Sequence, residues 1–210
     1  MVAKQNAVRA PRRRQADRRE AAETALLEAA ISLIAARGVK GTTLADVGEA
    51  AGYSRGLAAH YYKTKDRLLQ ATAEYIGEQY VRMLHEKSDA TGMKVLVSYV
   101  ELACMPRRLE IAKAMHVMQK EALFDTSGLQ AIFSKHSRSA LKRLENHIRI
   151  GIGNGEIRKD VDPKSEAAIL LAMGRGVRTL WLHSPDKVNP LKLKQDILDF
   201  LHLNLSAKAR

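Results

Sequence analysis

The sequence predicts an all-α fold of about nine helices, three in a small N-terminal domain and the rest in a larger C-terminal one. Three observations predict it. Apolar residues recur at three- and four-residue spacing through nearly the whole chain. Six tyrosines, three phenylalanines and five prolines in 210 residues leave little strand signal. Glycines and capping residues stand at the ends of the periodic stretches.

Residues 1–16 read as a flexible basic arm. Arg9, Arg12, Arg13 and Arg14, with Arg18 and Arg19 just beyond, have almost no apolar anchor. Residues 17–63 form the first domain. Helix 1 is predicted over 17–37, with Leu27, Ile31 and Ile34 on one face and Leu26, Ala30 and Leu33 beside it. Gly38 fits the left-handed position after a helix end. Helix 2 starts behind Thr43, an N-cap residue, with Asp46 near its positive end. Leu44, Val47 and Ala51 give its inner face. Gly52 permits a tight turn, and Ser54 is placed to cap a short helix 3 over 55–61.

Residues 64–210 form the second domain. Thr64 caps helix 4, 65–86, whose apolar positions include Leu69, Thr72, Ile76, Tyr80 and Met83. Helix 5 covers 93–105 and stops at Pro106. Helix 6 covers about 107–123. Helix 7 follows Ser127 and runs to 153, with Leu129, Phe133, His136, Ala140, Leu144 and Ile148 along one side. Asp162-Pro163 is an N-cap followed by an N1 proline, opening helix 8 through 182. Helix 9, about 191–205, carries Ile197, Leu198, Leu201 and Leu205.

The net charge is +12 and the pI about 9.9, so a polyanion is the natural partner. Residues 1–70 carry 13 Lys+Arg against 7 Asp+Glu, and the remaining 140 carry 22 against 16. The front third therefore has twice the charge density. No run approaches the roughly 18 apolar residues of a membrane helix, and the start has no apolar signal core. A single cysteine, Cys104, excludes an internal disulfide or a cysteine-based zinc finger and reads as an inert buried thiol. A cytoplasmic protein is expected. His85, His116, His136 and His147 show no metal-ligand spacing, so neither metal nor cofactor is expected. No nucleophile stands with its base, and there is no phosphate loop or paired-carboxylate site. The sequence does not read as an enzyme.

The informative stretch is Thr42 to Leu69. It is a short helix, a glycine turn and a second short helix too small to hold a core of its own. Such a helix fits the major groove, about 12 Å wide. In helix-turn-helix proteins the start of the second helix reaches base edges while the first crosses the backbone. Ser54 and Thr43 suit phosphate contacts, Arg55 and His60 bases or phosphates, and Tyr61 and Lys65 the next phosphate. The basic arm would follow phosphates or enter a minor groove.

This block resembles the DNA-binding domain of the Tet repressor family. It supplies Thr42, Thr43, Val47, Ala51, Gly52, Ser54, Gly56, His60, Tyr61, Lys65 and Leu68 at the family's places. Tyr53 stands where Val is usual, Tyr62 where Phe is usual, and Leu57 replaces a frequent hydroxyl residue. The resemblance implies that Thr42, Thr43, Ser54, Arg55, Gly56, Leu57, His60, Tyr61 and Lys65 form the face toward double-stranded DNA. Leu57 would make an apolar contact such as one to a thymine methyl.

The segment Gly151 to Pro163 resembles the turn before the last two helices of this family's regulatory domains. Those helices then form a four-helix bundle across a homodimer. The residues agree: 167–173 is apolar nearly all round, and Ala172, Gly174 and Gly176 allow close approach. Ala172, Gly176, Leu180, Leu198 and Leu201 are the expected dimer contacts. Tyr80, Met105, Met115, Met118, Phe133 and Trp181, with Phe124, are candidates for an effector pocket, since Met suits adaptable apolar sites. Arg175 and Arg178 read by default as solvated or paired arginines, with an anionic effector or a pair across the dimer as alternatives. The expected function is a sequence-specific repressor released from a palindromic operator by a small molecule. The alternatives are an architectural DNA-binding protein without an effector, and a basic helical enzyme or carrier.

Overall fold

A computed structural model describes residues 10–85, 91–104, 108–124 and 127–207, with side chains from Gln15 onward except at His85. The described residues form nine α-helices: α1 Ala10–Arg37, α2 Leu44–Ala50, α3 Leu57–Tyr62, α4 Lys65–His85, α5 Met93–Cys104, α6 Leu109–Glu121, α7 Leu129–Gly153, α8 Pro163–His183 and α9 Pro190–Leu205. A 3-10 turn, Ala122–Phe124, extends α6. Among the described residues there is no strand, only an isolated bridge between Ile157 and Ser206. The all-α expectation stands.

Two sequence-based boundaries move. Helix 1 begins at Ala10, so residues 10–16 of the expected arm are its first turns; residues 1–9 lie outside the described residues. The stretch lacks apolar anchors but consists of Ala, Arg and Gln, good helix formers, with Pro11 in the first turn where its missing N–H is harmless. A helix already nucleated at 20–37 propagates back through them. Helix 3 begins at Leu57, with Gly56 in the N-cap position, and the Ser54 side chain does not cap it. The Leu57 N–H instead bonds the Ser54 carbonyl at 3.0 Å, closing a turn before the helix opens.

The caps carry much of the local specification. Thr43 and Asp46 form a reciprocal capping box at α2. Asp162 accepts from the Lys164 and Ser165 N–H groups ahead of α8, and Asn189 does the same for α9. Glu156 accepts from the Met93 N–H at 2.8 Å and so caps α5 from across the fold. The turn holding Glu156 is stitched to the end of α9: Arg158 N–H donates to the Leu205 carbonyl, and Ala207 N–H to the Glu156 carbonyl.

Three apolar cores organise the helices. The N-terminal core joins Leu26, Leu27, Ala29 and Ala30 of α1 to Val47, Ala58, Tyr62 and Leu68. The second core joins Ile31 and Ile34 of the same helix to Leu69, Ala73 and Ile76 of α4, Ile111, Ala114 and Met118 of α6, and Leu129 and Phe133 of α7. The third lies between α5, α7, α8 and α9, around Leu96, Val100, Ile148, Leu170, Leu201 and Leu205. Thus α1 serves two cores with adjacent stretches of one helix. A polar clasp reinforces the junction: Glu28 of α1 accepts from the Tyr75 hydroxyl at 2.7 Å and from both Arg108 guanidinium nitrogens. The Arg108 bonds, with the Tyr75 bond, outweigh burial and hold the Glu28 carboxyl below its ordinary range.

Candidate nucleic-acid interface and ligand cavity

The turn between α2 and α3 is built on two glycines. Gly52 sits at φ +78°, the left-handed region that only glycine enters freely. Gly48, inside α2, has no room for a side chain: a Cβ there would lie 2.5 Å from the Ser54 carbonyl oxygen and 3.3 Å from the Arg55 backbone. The turn thus rests directly on the helix. Past α3, the Lys63 φ of +63° and a Thr64 N–H bond to the Tyr62 carbonyl at 2.7 Å make a tight, strained corner into α4.

On α3, Ala58 and Tyr62 point into the N-terminal core, and burial pushes the Tyr62 phenol well up. Gly56, Ala59 and His60 are exposed on the opposite side, with Leu57 and Tyr61 half-buried at the flanks. Ser54 and Arg55 are exposed in the turn. Arg55 lies 3.9 Å from Glu49, a solvated pair of little energetic weight. The Tyr61 hydroxyl donates to the Arg19 carbonyl at 3.4 Å and its ring lies under the Arg19 guanidinium. Lys65, half-buried, donates to the Lys40 carbonyl at 3.4 Å. Thr43 is exposed, its side chain occupied by the capping box.

Thr42 is a correction. It is 1% exposed and its hydroxyl donates to the Gly38 carbonyl at 2.9 Å. It closes the loop after α1 and offers nothing outward. Ala59 is the outward-facing residue that the motif reading passed over; a methyl carries no chemical signal in a sequence.

A cavity of about 630 Å³ lies between α4, α5, α6, α7 and α8. Tyr80 and Met115 line it. Met118 and Phe133 do not: at 0% and 7% exposure they belong to the second core, because helical spacing alone does not distinguish a core face from a cavity wall. Trp181 is half-buried away from the lining, Phe124 is exposed, and Met105 lies outside the described residues. The sequence reading missed Tyr99 and Arg143. A cation three residues beyond Ala140 on the apolar side of α7 was the available signal for Arg143. Burial pushes the Tyr80 and Tyr99 phenols up, with Arg178 opposing. Glu74 is held below its ordinary range, first by its bond to His136 at 3.0 Å and also by Lys135 at 3.1 Å.

On the outer side of α8, Ala172, Gly176 and Leu180 are exposed, as is Ile169, and on α9 so are Phe200 and Leu203. Leu198 is half-buried against the third core. Leu201 is a further correction: at 2% exposure it packs inside the chain and has no surface for a partner. Among the described residues there is no cluster fit to hold a metal ion, and no helix is long and apolar enough to cross a membrane. Cys104 is buried, and desolvation pushes its thiol up.

Residues 26–72 match the family described as bacterial regulatory proteins, tetR family. The chain is 33% identical over 79 residues to the HTH-type transcriptional repressor Rv3405c of Mycobacterium tuberculosis, a match covering 38% of this chain and 42% of that protein. The chain thus spans about a third to two fifths of the length of the curated relatives it matches. Among solved structures, a TetR transcription regulator from Haloarcula marismortui superposes with a TM-score of 0.78 at 20% identity, over 89% of this chain and all of that one. A transcriptional regulator from Saccharomonospora viridis in complex with choline does so at 0.77 and 21%, over 89% and 98%. At these identities the likeness is one of fold, and it runs through both the helix-turn-helix and the helices behind it. The helix-turn-helix segment of residues 26–72 thus matches the tetR family of bacterial regulatory proteins, and the chain as a whole shares the fold of these solved regulators.

Proposed function

We propose that the chain is a homodimeric transcriptional repressor that binds a palindromic operator and is released from it by a small molecule. The observation that carries this reading is α3, a six-residue helix anchored by Ala58 and Tyr62 whose other side stands in solvent. A helix presented in this way has the dimensions of a major-groove reader. Arg55, Gly56, Leu57 and His60 would meet base edges. Thr43, Ser54, Tyr61 and Lys65 would meet phosphates, and Arg18 and Arg19 would follow the backbone. Two such helices, one per protomer, would enter successive major grooves roughly 34–36 Å apart or more.

The exposed apolar strip on α8 and α9 supports a dimer, since Ile169, Ala172, Gly176 and Leu180 share one side of α8 at helical spacing. The cavity supports an effector. Its wall includes Met115 and Gln119 of α6, and the residue before that helix, Arg108, grips Glu28 of α1. A ligand that displaced α6, or the α4 wall, would therefore act on the helix that carries the reader. A differential affinity of about 1–3 kcal/mol between two arrangements suffices for such coupling. The Saccharomonospora viridis relative, with choline bound, supports ligand binding in this fold.

Selection of bound DNA from a random pool tests the proposal. A two-fold symmetric consensus is expected. Binding that tracked only salt, with no consensus, would favour an architectural DNA-binding protein instead.

A further inference from the structure

We infer that the cavity is built for an organic anion, a carboxylate carried on an apolar body, with Arg178, Arg143 and Arg175 as its receptors. The inference rests on the effector reading above and names the chemistry of that site. Arg178 is 9% exposed, yet among the described residues no carboxylate lies within ion-pair distance of it. Its neighbours are the Met115 sulfur at 3.4 Å and the Tyr80 ring, 5.2 Å from the guanidinium carbon. A thioether and a ring face accept little from five N–H donors. Buried ions are ordinarily paired, because burying one alone is strongly destabilising.

Arg143 repeats the pattern. It lines the same cavity, is half-buried, and has no hydrogen-bond or ion-pair partner among the described residues. Desolvation works against its charge with nothing opposing it. Arg175, exposed, gives one N–H to the Ser137 hydroxyl at 2.6 Å and keeps the rest. Two acids line the cavity. Glu74 is already bound by Lys135 and His136, and Glu78 is exposed. Against them stand Arg82, Lys135, Arg143, Arg175 and Arg178. The balance is cationic, and a cationic ligand would be repelled.

Much of the remaining wall is apolar, including Val81, Leu84, Leu102, Leu144 and Leu171, with Gln119, Ser139, His136 and His147 among its uncharged or titratable polar groups. It calls for a hydrocarbon body beside the charged end. A carboxylate matches a guanidinium fork with two parallel hydrogen bonds and brings one charge, whereas a phosphate ester would carry a second charge into this apolar surround. The volume of about 630 Å³ lies within the range of small-molecule sites.

Calorimetry on the full chain with three probes of one body tests the inference: sodium decanoate, decanol and decyltrimethylammonium. Decanoate should bind roughly 10- to 100-fold more tightly than decanol, the value of a charge-assisted hydrogen bond, and the cation most weakly. Arg178→Gln and Arg143→Gln should each bring decanoate toward the affinity of decanol. Equal binding of decanol or of the cation, binding of none of the three, or a decanoate preference that survives both substitutions overturns the inference. Thermal melting by circular dichroism checks that the variants fold. If Arg178→Gln does not, the comparison of probes on the unsubstituted chain and Arg143→Gln decide. Anisotropy of labelled operator separates the two claims. Decanoate that binds without releasing DNA would sink the release mechanism and leave the anion site intact. Release by decyltrimethylammonium would do the reverse.

Discussion

Replacing Gly48 with Ala sets two physical effects against each other. Helix propensity alone favours the change, since Ala is better than Gly in a helix interior by about 1 kcal/mol. The packing opposes it. The new Cβ would sit 2.5 Å from the Ser54 carbonyl oxygen and 3.3 Å from the Arg55 backbone. Relief requires the turn to move by roughly 1 Å or more to regain an ordinary contact distance. The neighbour is main chain rather than a flexible side chain, and it is pinned. The Tyr53 N–H bonds the Gly48 carbonyl at 3.0 Å and the Leu57 N–H bonds the Ser54 carbonyl at 3.0 Å. Overpacking of this kind costs about 1–3 kcal/mol. Packing should therefore win by up to about 2 kcal/mol, a fall in Tm of up to about 8 °C for a chain of this size. Arg55 would move with the turn, so operator affinity should fall by about tenfold or more. Differential scanning calorimetry and operator anisotropy read the two effects. A variant that melts higher than the parent and binds operator normally would refute the packing of the turn on α2.

Gly56→Ala is the complementary case. Its φ of −82° suits any residue and a Cβ would meet nothing within 4 Å, so stability should change by no more than about 0.5 kcal/mol. Operator binding should nevertheless weaken, because the open space is where a base edge would lie; retained affinity would move DNA away from the start of α3. Tyr61→Ala and Lys65→Ala should weaken binding to all sequences alike, with the salt slope for Lys65→Ala shallower by about 1. Unchanged affinity in both would count against the docking. Glu28→Gln should cost about 1 kcal/mol at pH 7, discounted for the solvent exposure of the pair. The Glu28 carboxyl is held below its ordinary value near 4.5, so its contribution is complete above that pH and fades as the pH falls through the lowered value. The gap in Tm between parent and variant should therefore narrow as the pH falls below about 4.5, and a gap that widened on acidification would contradict the clasp. Leu180→Glu, on the exposed side of α8, should convert a dimer to monomer in sedimentation velocity; an undisturbed dimer would place the interface elsewhere.

Elements with a chemical marker at each end were legible in the sequence. Thr43 with Asp46, Asp162 with Pro163, and the glycines at 38 and 52 located helices 2 and 8 and the turns around helix 2 to within a residue or two. What escaped depends on more than one element. The start of α3 is set by the Gly48 contact with a turn six residues on, and the clue was a glycine inside a seven-residue helix, where it is otherwise unfavourable. Thr42 carries the same side chain as Thr43, and only the Gly38 carbonyl beneath it marks it as structural. The periodicity on α6 and α7 identified an apolar side but not where the neighbouring helices part, so Met115 and Met118 were indistinguishable until the cavity separated them. Leu201 failed for the same reason in reverse, as a partner for α5 within the chain rather than across a dimer.

The double duty of α1 bears on engineering. A cut after residue 63 would sever Ile31, Ile34 and Val39 from α4, α6 and α7, uncovering side chains that are each worth about 1.5–3 kcal/mol when buried. An excised 1–63 segment should be poorly folded, and a chimera that grafts a foreign helix-turn-helix onto these C-terminal helices should inherit a mismatched seam. A workable graft would keep the 31–39 stretch of the recipient together with Glu28, and exchange only the surface of α2 and α3. New operator specificity is then a matter of changing a few solvent-facing side chains, with the joint between reader and sensor left as it is.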